Sequence, residues 1–428
     1  MDLIKTKDAD VYYVCTVKDL KEAVLKLKKY EVLAVDTETY VDLSKLNSSA
    51  LDPHSSKVSL IQVNSIDSKV PYLIDLIELG VDNSLLFNKE ILQNKNIRKV
   101  FHNASFDLKQ LYATYSQWPK NVYCTKVLMQ SLGICTGMKA SIFRGHRLKD
   151  MARDYFDLDL DKTEATSQWG ARPLTNEQIG YAALDVCAPR DININCLLLE
   201  GYYLFKNQLD ELKQQMAYEA DQQAMVVSAK MEYEGMFINK DILHKIYDYA
   251  LEQTNTHRDF IVNELGFTIY YDMDINDEGE FESVVVIPDK IKKLLNNNKG
   301  LVTYINEHMS ARGESELSSL QADEVKNYLD VMESEIDPDN NIQFDDEYVE
   351  YKYDSIKLIK SLLRYKKYNK LVSECEKYFN VINKNTNKVH AGFNSVGTGT
   401  GRMSSSGDLN LQQCSNTQVV IELEKENF

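Results

Sequence analysis

The chain has 428 residues, a formal net charge of −16 and an isoelectric point near 5.0, and its length suits two or three domains. Its seven cysteines are scattered without a CxxC spacing, which excludes a disulfide framework or a zinc cluster and favours a reducing compartment. No apolar run could span a bilayer and no signal or transit pattern opens the chain, so we expect no membrane association and a cytoplasmic protein.

The first informative element is the segment VLAVDTET, residues 32–39. Its four consecutive apolar residues predict a central strand that is buried on both faces. Asp36 and Glu38 are two positions apart, so their side chains share one face of the strand. A divalent ion could bind between them, but Asp-X-Glu is also common at solvated strand ends. This pattern alone leaves both interpretations open.

Another acidic residue follows a predicted strand-to-helix turn. KVFHN predicts a short strand and SFDLKQLYATY a helix, with Ser105 or Asn103 as the N-cap. Asp107 then falls in the first turn of the helix. A carboxylate there also stabilises the helix dipole, and this is the commoner role for a lone acid at that position.

The third acidic motif is in LTNEQIGYAALDV. Thr175 followed three residues later by Gln178 is a capping-box pattern, which predicts a helix N-terminus. Tyr181 and Asp185 are four residues apart, so they lie on one face of that helix. The order of the three acidic motifs makes them informative together, because each one alone has a simple structural explanation.

The second half of the chain carries two blocks of opposite charge. Residues 313–350 hold thirteen acidic residues against one lysine, which we interpret as a solvated face or an insertion. Residues 351–390 hold ten Lys or Arg against three acids. Within them KLIKSLLRYKKYNK predicts a basic amphipathic helix, on which Lys366 and Lys367 suit a phosphate backbone, although a merely soluble helix explains the same pattern. Before both blocks, FTIYYDMDINDEGEFESVVVI predicts a hairpin.

The three acidic motifs and the run LKDMARDYFDLDLDKTEATSQWGARPLTNEQIGYAALDV resemble the DEDD exonucleases, in the variant with tyrosine in the last motif. The same region is similar to ribonuclease D-type enzymes and to the proofreading domain of DNA polymerase I. The resemblance implies an α/β ribonuclease H-like exonuclease domain. It also implies that two Mg²⁺ or Mn²⁺ ions are bound by Asp36, Glu38, Asp107 and Asp185, and that Tyr181 orients the attacking water.

The resemblance also implies contacts with nucleic acid. It assigns the terminal nucleotide to Thr39, Asn103 and Phe106, and a further nucleic-acid contact to Arg172. The sequence departs from the family at Cys124, where an Asp often precedes the Thr. Because the resemblance makes that position structural, we expect activity to be unaffected.

Two later segments resemble family A DNA polymerases. MEYEG, which contains Glu232, is similar to the M-E-x-x-G turn that joins exonuclease to polymerase. VHAGFNSVGTGTGRMSSSGDLNLQQ is similar to the thumb-to-palm entry, and this similarity implies that Arg402 contacts the duplex backbone. We therefore expect an exonuclease domain over 1–200, a mainly α-helical polymerase thumb remnant over 201–413, and a non-family tail over 414–428.

The palm and fingers motifs of family A polymerases are not in this sequence, which predicts that the chain alone does not transfer nucleotides. The leading hypothesis is a metal-dependent 3′→5′ exonuclease on single-stranded DNA ends, the proofreading portion of a truncated or split polymerase. One alternative is a ribonuclease D-like RNA trimmer. Another is a DNA-clamping subunit that binds primer-template DNA beside a separate palm/fingers polypeptide. The thumb-like segments favour DNA, because an RNA trimmer has no use for a thumb.

Overall fold

The computed structural model describes residues 1–45, 48–137, 146–160, 167–190, 192–264, 270–275, 281–286, 295, 297–310, 317–319, 321–336, 346–407 and 409–413. Contacts divide the chain into two compact units. The first comprises Met1–Ile238 and Val381–Cys414, and the second comprises Asn239–Asn380 and Ser415–Phe428. Among the described residues, no helix combines the length and the apolar character that crossing a membrane requires.

The first unit is built on a seven-stranded mixed sheet. Its strands are β1 (Asp2–Lys5), β2 (Asp10–Val14), β3 (Val32–Val41), β4 (Ser56–Asn64), β5 (Tyr72–Asp75), β6 (Arg98–Phe101) and β7 (Val122–Cys124). Their spatial order is β1-β2-β5-β4-β3-β6-β7. Strand β3 pairs antiparallel with β4 and parallel with β6, so the prediction of a central strand at VLAVDTET is confirmed.

Nine α-helices are described in the first unit. They are α1 (Val17–Leu27), α2 (Leu76–Leu79), α3 (Val81–Phe87), α4 (Ser105–Tyr115), α5 (Thr125–Cys135), α6 (Leu148–Phe156), α7 (Asn176–Leu184), α8 (Leu197–Glu211) and α9 (Gln215–Glu234). A π-helical turn spans Asn88–Leu92. The predicted strand at KVFHN and the predicted helix at SFDLKQLYATY correspond to β6 and α4 and are confirmed.

Alternate residues of β3 enter different apolar clusters. Leu33 and Val35 pack in a cluster that includes Leu108 of α4, whereas Ala34 packs in a cluster that includes Leu198 of α8. Neighbouring residues of a strand point to opposite faces, so helices cover both faces of the sheet at this point. The expected α/β exonuclease-type fold is confirmed, and β3 is packed on both faces just before its acidic residues.

Four short strands complete the first unit. They are β8 (Met236–Phe237), β11 (Lys388–Val389), β12 (Gly392–Asn394) and β13 (Ser404–Ser406). Strand β8 pairs with β11, and β12 pairs with β13; a 3₁₀ helix follows at Leu411–Gln413. Packing therefore assigns 201–238 and 381–413 to the unit that holds the large sheet. The predicted domain limits at 200 and 413 concern homology and stay predictions.

The second unit is mainly helical, as expected. Its elements are α10 (Lys240–Glu264), β9 (Tyr270–Ile275), β10 (Phe281–Val286), α11 (Asn298–Ser310), α12 (Ala322–Glu335) and α13 (Asp346–Val381). Strands β9 and β10 pair antiparallel, which confirms the predicted hairpin, while its turn lies outside the described residues. Val262, Leu301, Val325 and Leu362 share the apolar core. The basic segment predicted to be helical lies within α13.

Candidate active site

Three of the predicted carboxylates form a close cluster in the first unit. One ligand oxygen each from Asp36, Glu38 and Asp185 lies within 4.8 Å of the others. Strand β3 supplies the first two, which are half-buried, and Asp185 follows the end of α7 and is buried. The fold thus brings together acids from opposite ends of the matched sequence region, as the motif order predicted.

A capping box determines where α7 begins and so where Asp185 lies. The Thr175 Oγ1 accepts a hydrogen bond from the Gln178 N–H (3.2 Å), and the Gln178 Oε1 accepts one from the Thr175 N–H (3.0 Å). This prediction is confirmed. Asp185 is the C-cap with helical backbone angles, so it continues the spiral one turn beyond Tyr181. The half-buried Tyr181 ring lies with its centroid 6.0 Å from that of Trp169.

Asp107 stands beside this cluster. It is buried in the first turn of α4, as predicted, and its Oδ1 accepts a hydrogen bond from the Thr37 hydroxyl (2.6 Å). Burial raises the pKa of Asp107, and the negative charge of Asp185 raises this pKa further. Since Thr37 lies between Asp36 and Glu38 in sequence, it joins α4 to the acid-bearing part of β3.

The predicted N-cap of α4 is wrong. Ala104 occupies the N-cap position, without a side-chain capping hydrogen bond. The Ser105 hydroxyl instead donates to the Glu232 carboxylate (2.7 Å). Asn103 has a φ of 63° and accepts a hydrogen bond from the Lys126 ammonium (3.0 Å). Asn tolerates the left-handed region better than most residues, so Asn103 turns the chain into the helix and does not cap it.

The residues predicted to hold the terminal nucleotide lie near the acids in sequence and differ in exposure. Asn103 is exposed, Phe106 is half-buried in the first turn of α4, and Thr39 is buried. The Thr39 hydroxyl donates to the Ala50 carbonyl (2.7 Å). A cleft of about 790 Å³ is lined by Thr39, Tyr40, Val41, Asp42, Leu43, Ala50, Ser167, Gln168, Trp169, Gly170 and Ala171. Their contacts with a nucleotide stay predictions.

Arg172 has a structural role. Its Nε and Nη2 donate to the two carboxylate oxygens of Asp75 (2.6 and 2.9 Å), and Nη2 also donates to the Ser59 hydroxyl (3.0 Å). Asp75 is fully buried and accepts the Ile77 and Glu78 N–H groups at the start of α2. Because a buried carboxylate requires a partner, Arg172 neutralises Asp75 in the folded protein, and its predicted contact with nucleic acid stays a prediction.

The other predicted cationic contacts lie elsewhere in the chain. Arg402 is exposed in the turn between β12 and β13, where its N–H donates to the Thr398 hydroxyl (2.9 Å). Lys366 and Lys367 lie on α13 in the second unit. Lys366 is half-buried and burial lowers its pKa, whereas Lys367 is exposed. The predicted phosphate contacts of these three residues stay predictions.

Sequence reasoning missed two polar residues beside the acids. Thr37 is one, through its hydrogen bond to Asp107. Gln62 is the other: it is fully buried in β4, lies opposite Asp36 in the strand register, and donates through Nε2 to the Glu38 Oε1 (3.3 Å). The glutamine in the otherwise apolar run LIQV, residues 60–63, was a signal, because a buried amide requires a specific partner.

The donor chemistry of the cluster fits a hard divalent cation. All three groups offer carboxylate oxygens, which Mg²⁺ and Mn²⁺ prefer. Carboxylates this close together repel one another unless positive charge or a proton compensates them. Asp36, Glu38 and Asp185 could therefore hold a metal ion, with Asp107 adjacent.

Two ranges of the chain match known families. Residues 11–193 match the family described as 3′-5′ exonuclease, and residues 292–426 match DNA polymerase family A. The second range continues past residue 414, so this match does not support a departure from the family at that position.

Curated relatives include polymerases and ribonucleases. The chain is 30% identical to DNA polymerase I of Aquifex aeolicus over 183 residues, which cover 43% of this chain and 26% of that protein. It is 29% identical to ribonuclease D of Bartonella henselae over 195 residues, which cover 46% of this chain and 41% of that protein. The match thus spans between a quarter and about two fifths of the length of these relatives.

Similarity to solved structures extends over most of the chain. The POL domain of Pol1 from M. smegmatis, in complex with DNA primer-template and dNTP, has a TM-score of 0.60 at 13% identity. That match covers 93% of this chain and 55% of the other, and at this identity it shows the fold alone. The two family matches thus identify a 3′-5′ exonuclease domain over residues 11–193 and a region similar to DNA polymerase family A over residues 292–426, and the structural match supports a polymerase-like fold for the chain.

Proposed function

We propose that this chain is a metal-dependent 3′→5′ exonuclease that shortens single-stranded DNA, the proofreading portion of a family A polymerase. The observation that carries the proposal is the convergence of Asp36, Glu38 and Asp185 inside the range that matches 3′-5′ exonucleases. Asp107 is linked to the same place by Thr37. All four acids were expected as ligands from the sequence pattern.

Each residue has a chemical role in this proposal. Asp36, Glu38 and Asp185 would hold the divalent cations, and Asp107 would complete the ligand set. When bound, a pair of such cations would activate the attacking water and stabilise the charge on the departing oxygen. Tyr181, one helical turn before Asp185, is placed to orient the attacking water, because a phenol hydrogen-bonds without ionising at neutral pH.

Two observations favour DNA over RNA as the substrate. The first is the match of residues 292–426 to DNA polymerase family A, which a ribonuclease does not require. The second is the exposed Arg402 in a turn rich in glycine and hydroxyl groups, which suits a duplex backbone. Ribonuclease D relatives at 26–29% identity support RNA as the second candidate substrate.

The test uses two strands of the same sequence, one DNA and one RNA, each labelled at the 5′ end. With Mg²⁺ we expect a ladder of DNA shortened from the 3′ end, and slower shortening of RNA. EDTA stops the reaction, and excess Mg²⁺ restores it. Failure to cleave with either Mg²⁺ or Mn²⁺, or activity that survives chelation, refutes the proposal. Faster shortening of the RNA strand assigns the chain to the ribonuclease D-like alternative.

We further propose that this 428-residue chain removes nucleotides but does not add them, since the palm and fingers motifs are not in its sequence. Given a primer-template, Mg²⁺ and nucleotides, the protein should shorten the primer. Extension should require a palm/fingers polypeptide, with this chain then acting also as a DNA-clamping subunit. Template-dependent extension by the chain alone contradicts this part of the proposal.

A further inference from the structure

Glu232 is a buried carboxylate that joins two distant segments of the first unit. Its Oε2 accepts hydrogen bonds from the Ser105 hydroxyl (2.7 Å) and from the Lys109 ammonium. Its Oε1 accepts the Phe393 N–H (2.6 Å). The side chain is only 7% exposed. Three donors, two of them uncharged, therefore converge on one carboxylate that the exonuclease reaction does not itself use.

On one side, Glu232 hydrogen-bonds to α4, the helix that carries the predicted metal ligand Asp107. Ser105 is the first residue of α4 and Lys109 is one turn further on, so the two donors flank Asp107. Asp107 in turn accepts the Thr37 hydroxyl (2.6 Å). A continuous set of contacts thus runs from Glu232 through the first turn of α4 to the acid-bearing part of β3.

On the other side, Glu232 holds the strand pair β12–β13. Phe393 lies in β12 and pairs in register with Ser405 of β13. The Glu232 carbonyl also hydrogen-bonds the His390 Nδ1 (2.8 Å). The chain can approach this closely because α9 ends at Gly235, where φ is +66° and a Cβ would lie 2.6 Å from the His390 ring. This accounts for both the glutamate and the glycine of the MEYEG turn.

We propose that Glu232 is a positioning residue for the exonuclease reaction. It fixes the first turn of α4, so that Asp107 keeps its place beside the acids of β3. Because Glu232 also accepts the Phe393 N–H, the position of Asp107 depends in addition on the packing of β12 against Glu232. The inference rests on the exonuclease function proposed above and adds a residue, outside the matched exonuclease range, on which the site depends.

The substitution Glu232→Gln tests this with little change in shape. One oxygen remains to accept the Phe393 N–H, but an amide donor now faces Lys109 and Ser105. The ammonium of Lys109, whose side chain is 20% exposed, then loses its charged partner. Ser105→Ala is the milder variant, because it removes a single hydroxyl and leaves the ion pair. Glu234→Gln is the matched control, since Glu234 is on the same helix and its side chain is 65% exposed.

Two measurements are made on each variant: kcat and KM on a labelled single strand, and Mn²⁺ affinity by electron paramagnetic resonance. For Glu232→Gln we expect a loss of about 10–100-fold in kcat and in metal affinity, with KM for the strand nearly unchanged. Ser105→Ala should change the same quantities in the same direction by less. Glu234→Gln should match the parent protein.

Adding Lys109→Met to Glu232→Gln should restore part of both quantities, because the unpaired ammonium is removed. Parent-like kcat and Mn²⁺ affinity in Glu232→Gln overturn the inference. If that variant does not fold, parent-like values in Ser105→Ala overturn it instead. An inactive parent protein refutes the proposed function, and the Mn²⁺ measurement then decides the positioning role by itself.

Discussion

Two sets of acidic side chains in the first unit have different surroundings. Asp75, at the end of β5, directs its oxygens at fixed protein donors: the Arg172 guanidinium, the Tyr13 hydroxyl and the first N–H groups of α2. Asp36, Glu38 and Asp185 have oxygens that lie within 4.8 Å of one another, and Glu38 also accepts a hydrogen bond from Gln62. Asp75 and Asp185 are both buried, so burial alone does not separate the two sets. The convergence of several carboxylates is what distinguishes a candidate metal site from a structural ion pair.

The largest expected effect is the loss of kcat when a carboxylate of the candidate site is removed. Asp36→Ala removes a carboxylate from the cluster and should reduce kcat by about a thousandfold or more, since metal ions contribute several kcal/mol to the stabilisation of the transition state. The measurement is degradation of a labelled single strand, with circular dichroism to verify folding. Asp67→Ala, at an exposed position after β4, is the control. If Asp36→Ala keeps most of the activity, the metal-site assignment is wrong.

The second prediction breaks the structural ion pair. Arg172→Met leaves the Asp75 charge buried without its bidentate partner and should cost about 3–5 kcal/mol in the free energy of unfolding. Urea denaturation measures this change, and the folded fraction should retain its kcat. Lys26→Met is the control, because its ion pair with Glu22 is solvent-exposed and should contribute little to stability. A large loss of kcat with unchanged stability would place Arg172 in the nuclease machinery instead.

The third prediction is a smaller loss of kcat and concerns Tyr181, the residue proposed to orient the attacking water. Tyr181→Phe removes the hydroxyl of the residue one helical turn before Asp185 and should cost about 0.5–1.5 kcal/mol in transition-state stabilisation, a loss of up to about tenfold in kcat. The ring still packs near Trp169, so stability should change little. Steady-state kinetics with Mg²⁺ gives the comparison. A loss as large as that of Asp36→Ala would make Tyr181 a far more direct participant.

The smallest predicted effect is a gain in thermal stability. Burial raises the pKa of Asp107, so the metal-free folded state keeps this carboxyl protonated to higher pH than the unfolded chain does. Its contribution to stability is therefore greatest in acid and is lost as pH rises. Asp107→Asn should raise the melting temperature in EDTA by a few degrees at neutral pH and by less in acid, while activity is lost. A variant that melts below the parent protein in EDTA at neutral pH contradicts this reasoning.

Much of the site was predictable because it depends on local patterns. The apolar run before Asp36, the capping box at Thr175 and the helix after Asn103 each have a short-range physical cause. The contacts that Arg172 and Glu232 make with their partners have no such short-range cause. Asp75 lies 97 residues from Arg172, and Phe393 lies 161 residues from Glu232. Such pairs follow from packing, so the sequence pattern did not reveal the ion pair of Arg172 with Asp75.

The pairing of β8 with β11 determines the order in which the first unit can be completed. Lys388 lies opposite Phe237, so about 150 residues of the second unit are synthesised between the two partners. During translation the large sheet and α9 emerge first, and the loop that closes β8 onto β11 is long, which costs entropy but only slowly with length. Throughout that interval the nascent exonuclease fold has Glu232 without its Phe393 partner. On the proposed positioning role of Glu232, its acids reach their final arrangement only after the helical unit has been synthesised.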